Sequence, residues 1–197
     1  MYNKANLEVA AIIEKDGRYG LVFEPGQTWG TNGQAVVKIT TPSEKLEDFP
    51  ELSGKQELVG QIQIEKEDAF KIKKMIPKKV DSMPILKNFV FTGMENSLAK
   101  FAATDLSSAT EIKARIKEGR IPDLTSIYPK ETPFFSICFN VDLLLTVLKI
   151  IKEAKEDGSY AKKIKIDFWD KDKVARIQTK NEDTGQEIEA GIMPMGE

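Results

Sequence analysis

Histidine is absent from this sequence and cysteine occurs once, and these two gaps exclude several kinds of chemistry. Without histidine there is no Ser-His-Asp or Cys-His catalytic arrangement, and no zinc site built on imidazole nitrogen. Cys138 has no second cysteine with which to form an internal disulfide. Because it lies in the apolar run FFSICF, we expect a buried, unreactive thiol. We therefore expect no catalytic residue, no metal site and no cofactor.

Arginine is scarce as well. It occurs only at Arg18, Arg115, Arg120 and Arg176. Arginine is the side chain that most often reads the edge of guanine, so sequence-specific recognition of DNA is disfavoured. The net charge of −2 gives no general attraction to nucleic acid. Lysines that contact phosphates without reading bases remain compatible with this composition, provided that they gather on one face.

Long apolar runs are missing too, since none approaches the roughly 20 residues that span a bilayer. Glu8 and Glu14 interrupt the N-terminal stretch, which is therefore unlike a secretory signal. We expect a cytoplasmic protein without membrane contact. Its 197 residues, 41% of them hydrophobic, are enough for one ordinary domain or two small ones.

Residues 1–55 are predicted to form an N-terminal β region. LEVAAIIE, KDG and RYGLVFE predict a hairpin that turns at Lys-Asp-Gly, and AVVKITT predicts a third strand after a glycine-rich connection. The polar stretch SEKLEDFPELSGK is typical of a linker. This region is similar to the sheet part of a half-domain that lacks its helix.

Residues 56–197 are predicted to form one domain, because the order strand, helix and three strands occurs twice, over about 56–120 and 131–197. The first helix, EKEDAFKIKKMI, stops before Pro77, and the second begins after Asn140, a good N-cap, and ends near Gly158. An internal repeat constrains the whole architecture. We predict an α+β fold with both helices on one face of antiparallel sheets.

Lysine is concentrated on these two helices. On the first, Ala69, Ile72, Met75 and Ile76 are predicted to face the core, as are Leu144, Val147, Leu148 and Ile151 on the second. The opposite faces carry Lys71, Lys73, Lys74, Lys78, Lys149 and Lys152. Lys71, Lys74 and Lys78 share a face only if the first helix continues through Pro77. Periodicity alone leaves two interpretations open: ordinary solvated helix faces, or a surface that contacts DNA phosphates.

Five segments, in order, resemble the bacterial DNA polymerase III beta subunit, the DNA sliding clamp. They are EDFPEL, FVFTGMENSLAKFAATDLSSA with its Ala-Thr-Asp motif, GRIPDLTSIYPK, FNVDLLLTVLKII and the closing IMPM. Together they cover about residues 47–195. The resemblance implies the DNA clamp fold, in which two such repeats make one domain with the helices lining a central hole.

The resemblance also implies a hydrophobic pocket that captures short peptides of polymerases and clamp loaders. Carried over position by position, its residues are Thr104, Pro122, Ile127, Met193, Pro194 and Met195. Methionine is adaptable and suits a surface that accepts several peptides. The chain departs from the family at residues 106–109, where Leu-Ser-Ser-Ala replaces Gly-His-Arg-Leu. The alternative for Met193 and Met195 is that they only finish an edge strand.

We predict a sliding-clamp-like processivity and docking factor in DNA replication, without enzymatic activity. It binds double-stranded DNA without sequence specificity and recruits replication proteins, namely polymerase and clamp loader, through their clamp-binding peptides. The alternative is a clamp-like adaptor that forms no ring, encoded by a phage or mobile element, which binds a partner protein and not DNA. Whether copies of the chain assemble into a homo-oligomeric ring is left open.

A metal-dependent enzyme is a third interpretation. Asp167, Asp170 and Asp172 lie close together in DFWDKDK, but alternating charge at the end of a strand is the commoner explanation. The chain also lacks a glycine-rich phosphate-binding loop of the P-loop type.

Overall fold

The chain forms two compact units, Met1–Leu124 and Thr125–Glu197. The computed structural model describes residues 1–15, 17–41, 49–52, 54–77, 83–123, 129, 131–154, 163–180 and 187–196. Both units combine a helix with antiparallel sheets, so the predicted α+β class is confirmed. None of the described helices is long and apolar enough to cross a membrane.

The first unit contains two successive repeats of strand, helix and three strands. The first repeat consists of β1 (Tyr2–Asn3), a 3₁₀ helix (Lys4–Ile12), β2 (Leu21–Glu24), β3 (Gln27–Thr31) and β4 (Val36–Thr40). The second consists of β5 (Ile62–Ile64), α1 (Lys66–Met75), β6 (Asn88–Glu95), β7 (Leu98–Thr104) and β8 (Ala109–Arg115), with a short 3₁₀ turn at Pro84–Lys87.

Each repeat gives its first strand to the sheet of the other. The sheet order is β4-β3-β2-β5 in one case and β1-β6-β7-β8 in the other. β5 pairs antiparallel with β2, placing Ile64 opposite Leu21, and β1 pairs with β6, placing Tyr2 opposite Phe89. This exchange of strands closes the two repeats into one domain.

One hydrophobic core serves both repeats of the first unit. Phe23 from the first repeat contacts Phe89 and Phe101 from the second, with ring centroids 6.3 and 4.9 Å apart. All three side chains are fully buried. The boundary expected near residue 55 therefore falls inside a compact unit, because residues on both sides of it share one core and both sheets.

The N-terminal segment also differs from the prediction, since the expected first strand is a 3₁₀ helix. Asn3 and Asn6 form a capping box at its start, and the buried Asn6 amide donates to Thr28 Oγ1 and to the Ile39 carbonyl. The buried Leu7, Ala10 and Ile13 recur every three residues, which is the period of a 3₁₀ helix. The N-terminal half-domain therefore has its helix.

The first hairpin is displaced along the chain from where it was expected. It joins β2 to β3 through Pro25 and Gly26, and Gly26 adopts φ +70°. The segment predicted to be a glycine-rich connection contains β3, with Trp29 fully buried. Gly26 provides the left-handed backbone conformation that this turn requires.

The second unit is a single repeat: α2 (Val141–Ala154), β9 (Lys165–Asp167), β10 (Ala175–Lys180) and β11 (Glu187–Ile192). Its sheet order is β11-β10-β9. Asn140 caps α2 as predicted, since its Oδ1 accepts from the N–H groups of Asp142 and Leu143. Ile151, Ile177 and Ile192 form the buried core, packed against half-buried neighbours.

The predicted strand FFSICF is present only as an isolated antiparallel bridge between Cys138 and Met195. The thiol of Cys138 is exposed, so the prediction that it is buried is wrong. The run was expected to lie inside a sheet, whereas this bridge is the only pairing that the described residues give it.

Candidate functional site

The core-facing side of α1 is the side that the sequence predicted. Ala69, Ile72 and Ile76 are buried, and Met75 is half-buried against the same core. This packing turns Lys71 and Lys74 toward solvent. The helix carries four lysines and two carboxylates, so it presents a net positive surface although the whole chain is slightly acidic.

Two of the predicted DNA-contacting lysines on α1 are held in ion pairs. Lys71 Nζ lies 2.6 Å from Asp68, which raises the pKa of Lys71 through this hydrogen bond. Lys73 Nζ lies 2.7 Å from Glu8 of the 3₁₀ helix. Lys74 is exposed and forms no ion pair within the described part of the chain. Among the described lysines of this group on α1, Lys74 is therefore the one whose ammonium is not held by a carboxylate.

The predicted stripe of Lys71, Lys74 and Lys78 required α1 to continue through Pro77. The helix ends at Met75, and Ile76 already has an extended backbone. Lys78 lies outside the described residues, so its contribution stays a prediction. Proline at position 77 restricts the preceding residue to extended conformations, which accounts for this end point.

On α2, Lys149 and Lys152 are exposed as predicted, but Asp142 and Glu153 are exposed beside them. Ile151 is buried, and the other three predicted core positions, Leu144, Val147 and Leu148, are only half-buried. The polar face of α2 is thus balanced in charge, and α1 is the more basic of the two helices.

Thr104, a predicted pocket residue, lines an open cleft of about 200 Å³ in the first unit. Its other lining residues are Lys74, Met75, Ile76, Pro77, Ala103, Asp105, Ser108 and Thr110. The structure therefore brings together one predicted peptide-contacting residue and one predicted DNA-contacting residue. Met75 and Pro77 supply apolar surface beside the Lys74 ammonium.

The residues that depart from the family pattern form a turn at the edge of this cleft. The Thr104 hydroxyl donates to the Ser108 carbonyl, and the Asp105 carboxylate accepts from the N–H groups of Ser107 and Ser108. The pKa of Asp105 is lowered, and the largest cause is the hydrogen bond from the Ser107 hydroxyl. Leu106 is exposed with φ +76°, a left-handed conformation that favours glycine.

The remaining predicted pocket residues divide between the units. Pro122 is half-buried in the first unit, and Ile127 lies outside the described residues. In the second unit Met193 and Met195 are exposed, with Pro194 half-buried between them. The N–H of Met195 donates to the Cys138 carbonyl at 2.8 Å, so this segment is held against the unit that carries it. The grouping of these residues into one pocket stays a prediction.

A second cleft in the first unit, of about 830 Å³, had no counterpart in the sequence predictions. Tyr2, Phe49, Leu58 and Phe91 contribute its apolar lining, beside Glu51, Lys55 and Glu57. Phe49 is buried against Val90 and Ala102, although the segment that carries it was predicted to be a polar linker. The aromatic residue within EDFPEL was the available signal for this cleft.

Of the three carboxylates of DFWDKDK, Asp167 is held in ion pairs. Asp167 lies 2.8 Å from Lys165 Nζ and 2.8 Å from Arg176 Nη2, and these partners lower its pKa, Lys165 first. No cluster of three or more candidate metal ligands occurs among the described residues. Arg176 also lies over the Trp169 ring, at 5.0 Å from its centroid.

Comparison with known proteins places this architecture among the DNA clamps. No family model and no curated protein matches the sequence. The DNA polymerase III beta chain of Streptococcus pneumoniae TIGR4 matches with a TM-score of 0.58 and 14% identity, over 98% of this chain and 48% of that one.

Two further solved structures match equally well. The Helicobacter pylori beta clamp bound to a DNA ligase peptide gives a TM-score of 0.60 and 16% identity, over 96% of this chain and 47% of that one. A putative DNA polymerase III beta subunit of Eubacterium rectale ATCC 33656 gives 0.61 and 13%, over 99% and 50%. The predicted clamp fold is confirmed. The chain spans about half the length of these structures.

Proposed function

We propose that this protein is a non-enzymatic docking and processivity factor of the DNA-clamp type. It contacts duplex DNA through lysines and holds short peptides of replication proteins such as polymerase and clamp loader. The observation that carries this proposal is the match of 96–99% of the chain to DNA polymerase III beta structures, one of them bound to a DNA ligase peptide.

The arrangement of lysines supports DNA contact that is weak and independent of sequence. Lys74 is exposed without an ion pair among the described residues, whereas Lys71 and Lys73 must exchange Asp68 and Glu8 for a phosphate. Lys149 and Lys152 are exposed next to carboxylates. Such contacts release few counterions, so the affinity falls with salt but less steeply than for a strongly basic protein.

Fluorescence anisotropy with two labelled duplexes of unrelated sequence tests the DNA contact. We expect equal affinities for both duplexes and weaker binding at 200 mM than at 50 mM salt. The double variant Lys74→Ala/Lys149→Ala should flatten the plot of log K against log salt by about 0.9 for each phosphate that the protein no longer neutralises. The double variant Lys38→Ala/Lys171→Ala, at two exposed lysines outside the helices, is the matched control with the same change of charge.

Peptide capture is proposed for the C-terminal segment, because Met193 and Met195 expose flexible apolar side chains around Pro194. Calorimetric titration with the DNA ligase peptide bound by the Helicobacter clamp is the direct test. We expect Met193→Glu to weaken binding and Met94→Glu, a similarly exposed methionine on β6, to leave it unchanged. Peptide binding without DNA binding would indicate a protein adaptor, and the absence of both would overturn the proposal.

A further inference from the structure

From its first strand through its helix, the repeat in the second unit matches the second repeat of the first unit at an offset of 75 positions. Glu65 and Asn140 occupy the N-caps of α1 and α2, and their carbonyls accept from Ala69 and Leu144 at 3.1 and 3.0 Å. The buried stripe of Ala69, Ile72 and Ile76 corresponds to Leu144, Val147 and Ile151 in the same way.

The first strands of the two repeats correspond by the same offset. The Gln63 carbonyl accepts from the N–H of Lys117 at 2.8 Å, and the Cys138 carbonyl accepts from the N–H of Met195 at 2.8 Å. Residues 137–139 therefore hold the position that β5 (Ile62–Ile64) holds in the first unit.

In the first unit every first strand also pairs with the sheet of another repeat, since β5 lies on β2 and β1 lies on β6. The equivalent edge in the second unit is that of β9, which pairs only with β10 among the described residues. The second unit thus has both parts of the exchange, a first strand and an acceptor edge, and neither is used within its described part. An open edge with unpaired backbone groups is a template for another strand.

The helices show the same incomplete arrangement. In the first unit, Lys66 and Lys73 of α1 face the 3₁₀ helix of the partner repeat, where they bind the Ile13 carbonyl and Glu8. The corresponding residues of α2 are apolar: Val141 and Leu148, with Leu145 between them on the same side. Val141 is 64% exposed and Leu145 is 48% exposed.

We propose that two copies of this chain dimerise through their second units by the exchange that the first unit makes internally. Residues 137–139 of each copy pair with β9 of the other, and the two α2 helices pack through Val141, Leu145 and Leu148. We assign a second copy of the chain as the binding partner because each copy presents both a first strand and an acceptor edge. A two-fold arrangement then pairs both strands and both edges at once. The exposed Cys138 corresponds to Gln63, which is 2% exposed, so dimerisation buries the thiol.

Light scattering over a range of concentrations tests this dimer. We expect a mass that rises toward twice the 22.1 kDa of one chain. Leu145→Glu places a charge at the centre of the helix pair and should keep the protein monomeric, while Val59→Glu, at an exposed site in the first unit, should not. Both changes are at exposed positions, and circular dichroism checks that each variant is folded.

The rate of labelling of Cys138 by a thiol reagent provides a second measurement that reports the strand itself. We expect labelling to slow several-fold as the wild-type concentration rises, and to be independent of concentration in Leu145→Glu. A wild type that is monomeric throughout, or a dimer that survives Leu145→Glu with Cys138 still fully reactive, would overturn the proposal. DNA and peptide binding by the monomeric variant are measured separately, so failure here leaves the proposed function standing.

Discussion

The two units of this protein are built from the same repeat but differ in how the repeat is completed. In the first unit, two repeats exchange their first strands and bury a common core of aromatic and aliphatic side chains. In the second, one repeat has three strands, a helix and a small core around Ile151, Ile177 and Ile192. Among the described residues, the paired repeats thus share a closed core, whereas the single repeat of the second unit keeps an open sheet edge at β9.

The consequence is visible in which side chains remain exposed. The second unit leaves Leu143, Ile150 and Trp169 more than half exposed, whereas Trp29, Phe23 and Phe101 of the first unit are buried. Burial of apolar surface is the main stabilising contribution to folding. We therefore expect the first unit to be the more stable of the two when the protein is monomeric.

The largest expected effect is a loss of stability when the shared core is opened. Phe101→Ala removes a ring that contacts Phe23, Phe89 and Phe91, and it should lower the free energy of unfolding of the first unit by about 3–5 kcal/mol. Ile177→Ala should cost about 2 kcal/mol, because half-buried neighbours can close over the space.

Each unit contains one tryptophan, so the two transitions can be followed separately during denaturation with urea. Trp29 reports the first unit in a Trp169→Phe background, and Trp169 reports the second in a Trp29→Phe background. Val59→Ala, at a position that is 88% exposed, is the control. Equal costs for Phe101→Ala and Ile177→Ala would contradict the comparison of a closed unit with an open one.

Local signals in the sequence were sufficient for most elements after residue 56. Pro77 ended α1, Asn140 began α2, and the three strands expected after each helix are present. The exchange of first strands was not predictable in this way, because it joins residues such as Tyr2 and Phe89 that are far apart in sequence. The apolar residues Leu7 and Val9 suggested a strand. The segment is instead a 3₁₀ helix, in which Asn6 takes part in the capping box and donates a hydrogen bond to Thr28.

The candidate site was predictable to a similar extent. Helical periodicity correctly predicted that Lys71, Lys74 and Lys149 lie at the surface. It gave no information about Glu8, which neutralises Lys73 from another part of the first unit. The cleft beside Thr104 likewise depends on the packing of α1 near the turn after β7, a contact between elements that periodicity does not report.

A smaller effect is expected at the equivalent N-caps of the two helices. Asn140 accepts two backbone N–H groups, so Asn140→Ala should lower the stability of the second unit by about 1 kcal/mol. Glu65 makes no capping hydrogen bond with its side chain, and its ion pair with Lys117 is partly exposed. Glu65→Ala should therefore cost less, within about 0.2–1 kcal/mol.

Introducing a capping side chain at position 65 tests the same comparison from the opposite side. Glu65→Asn supplies the capping oxygen that α1 lacks, and we expect it to offset the loss of the Lys117 ion pair. Urea denaturation with the two tryptophan backgrounds measures each change in its own unit. A loss at Glu65→Ala equal to that at Asn140→Ala would contradict the assignment of the cap to the Asn140 side chain.

The smallest expected effect is a dependence of the second unit on acid. Lys165 and then Arg176 lower the pKa of Asp167, so this carboxylate stabilises the folded unit above its ordinary pKa of about 4 and loses that contribution as the pH falls through the lowered value. The Trp169 transition should therefore shift to lower urea between pH 5 and about pH 3. The shift is small because the pair is solvated, and Asp167→Asn should reduce it more than Asp172→Asn does. Arg176 contacts both Asp167 and the Trp169 ring, so Trp169 lies close to this ion pair. An acid response that is the same in both variants would show that the ion pair between β9 and β10 does not stabilise this open sheet.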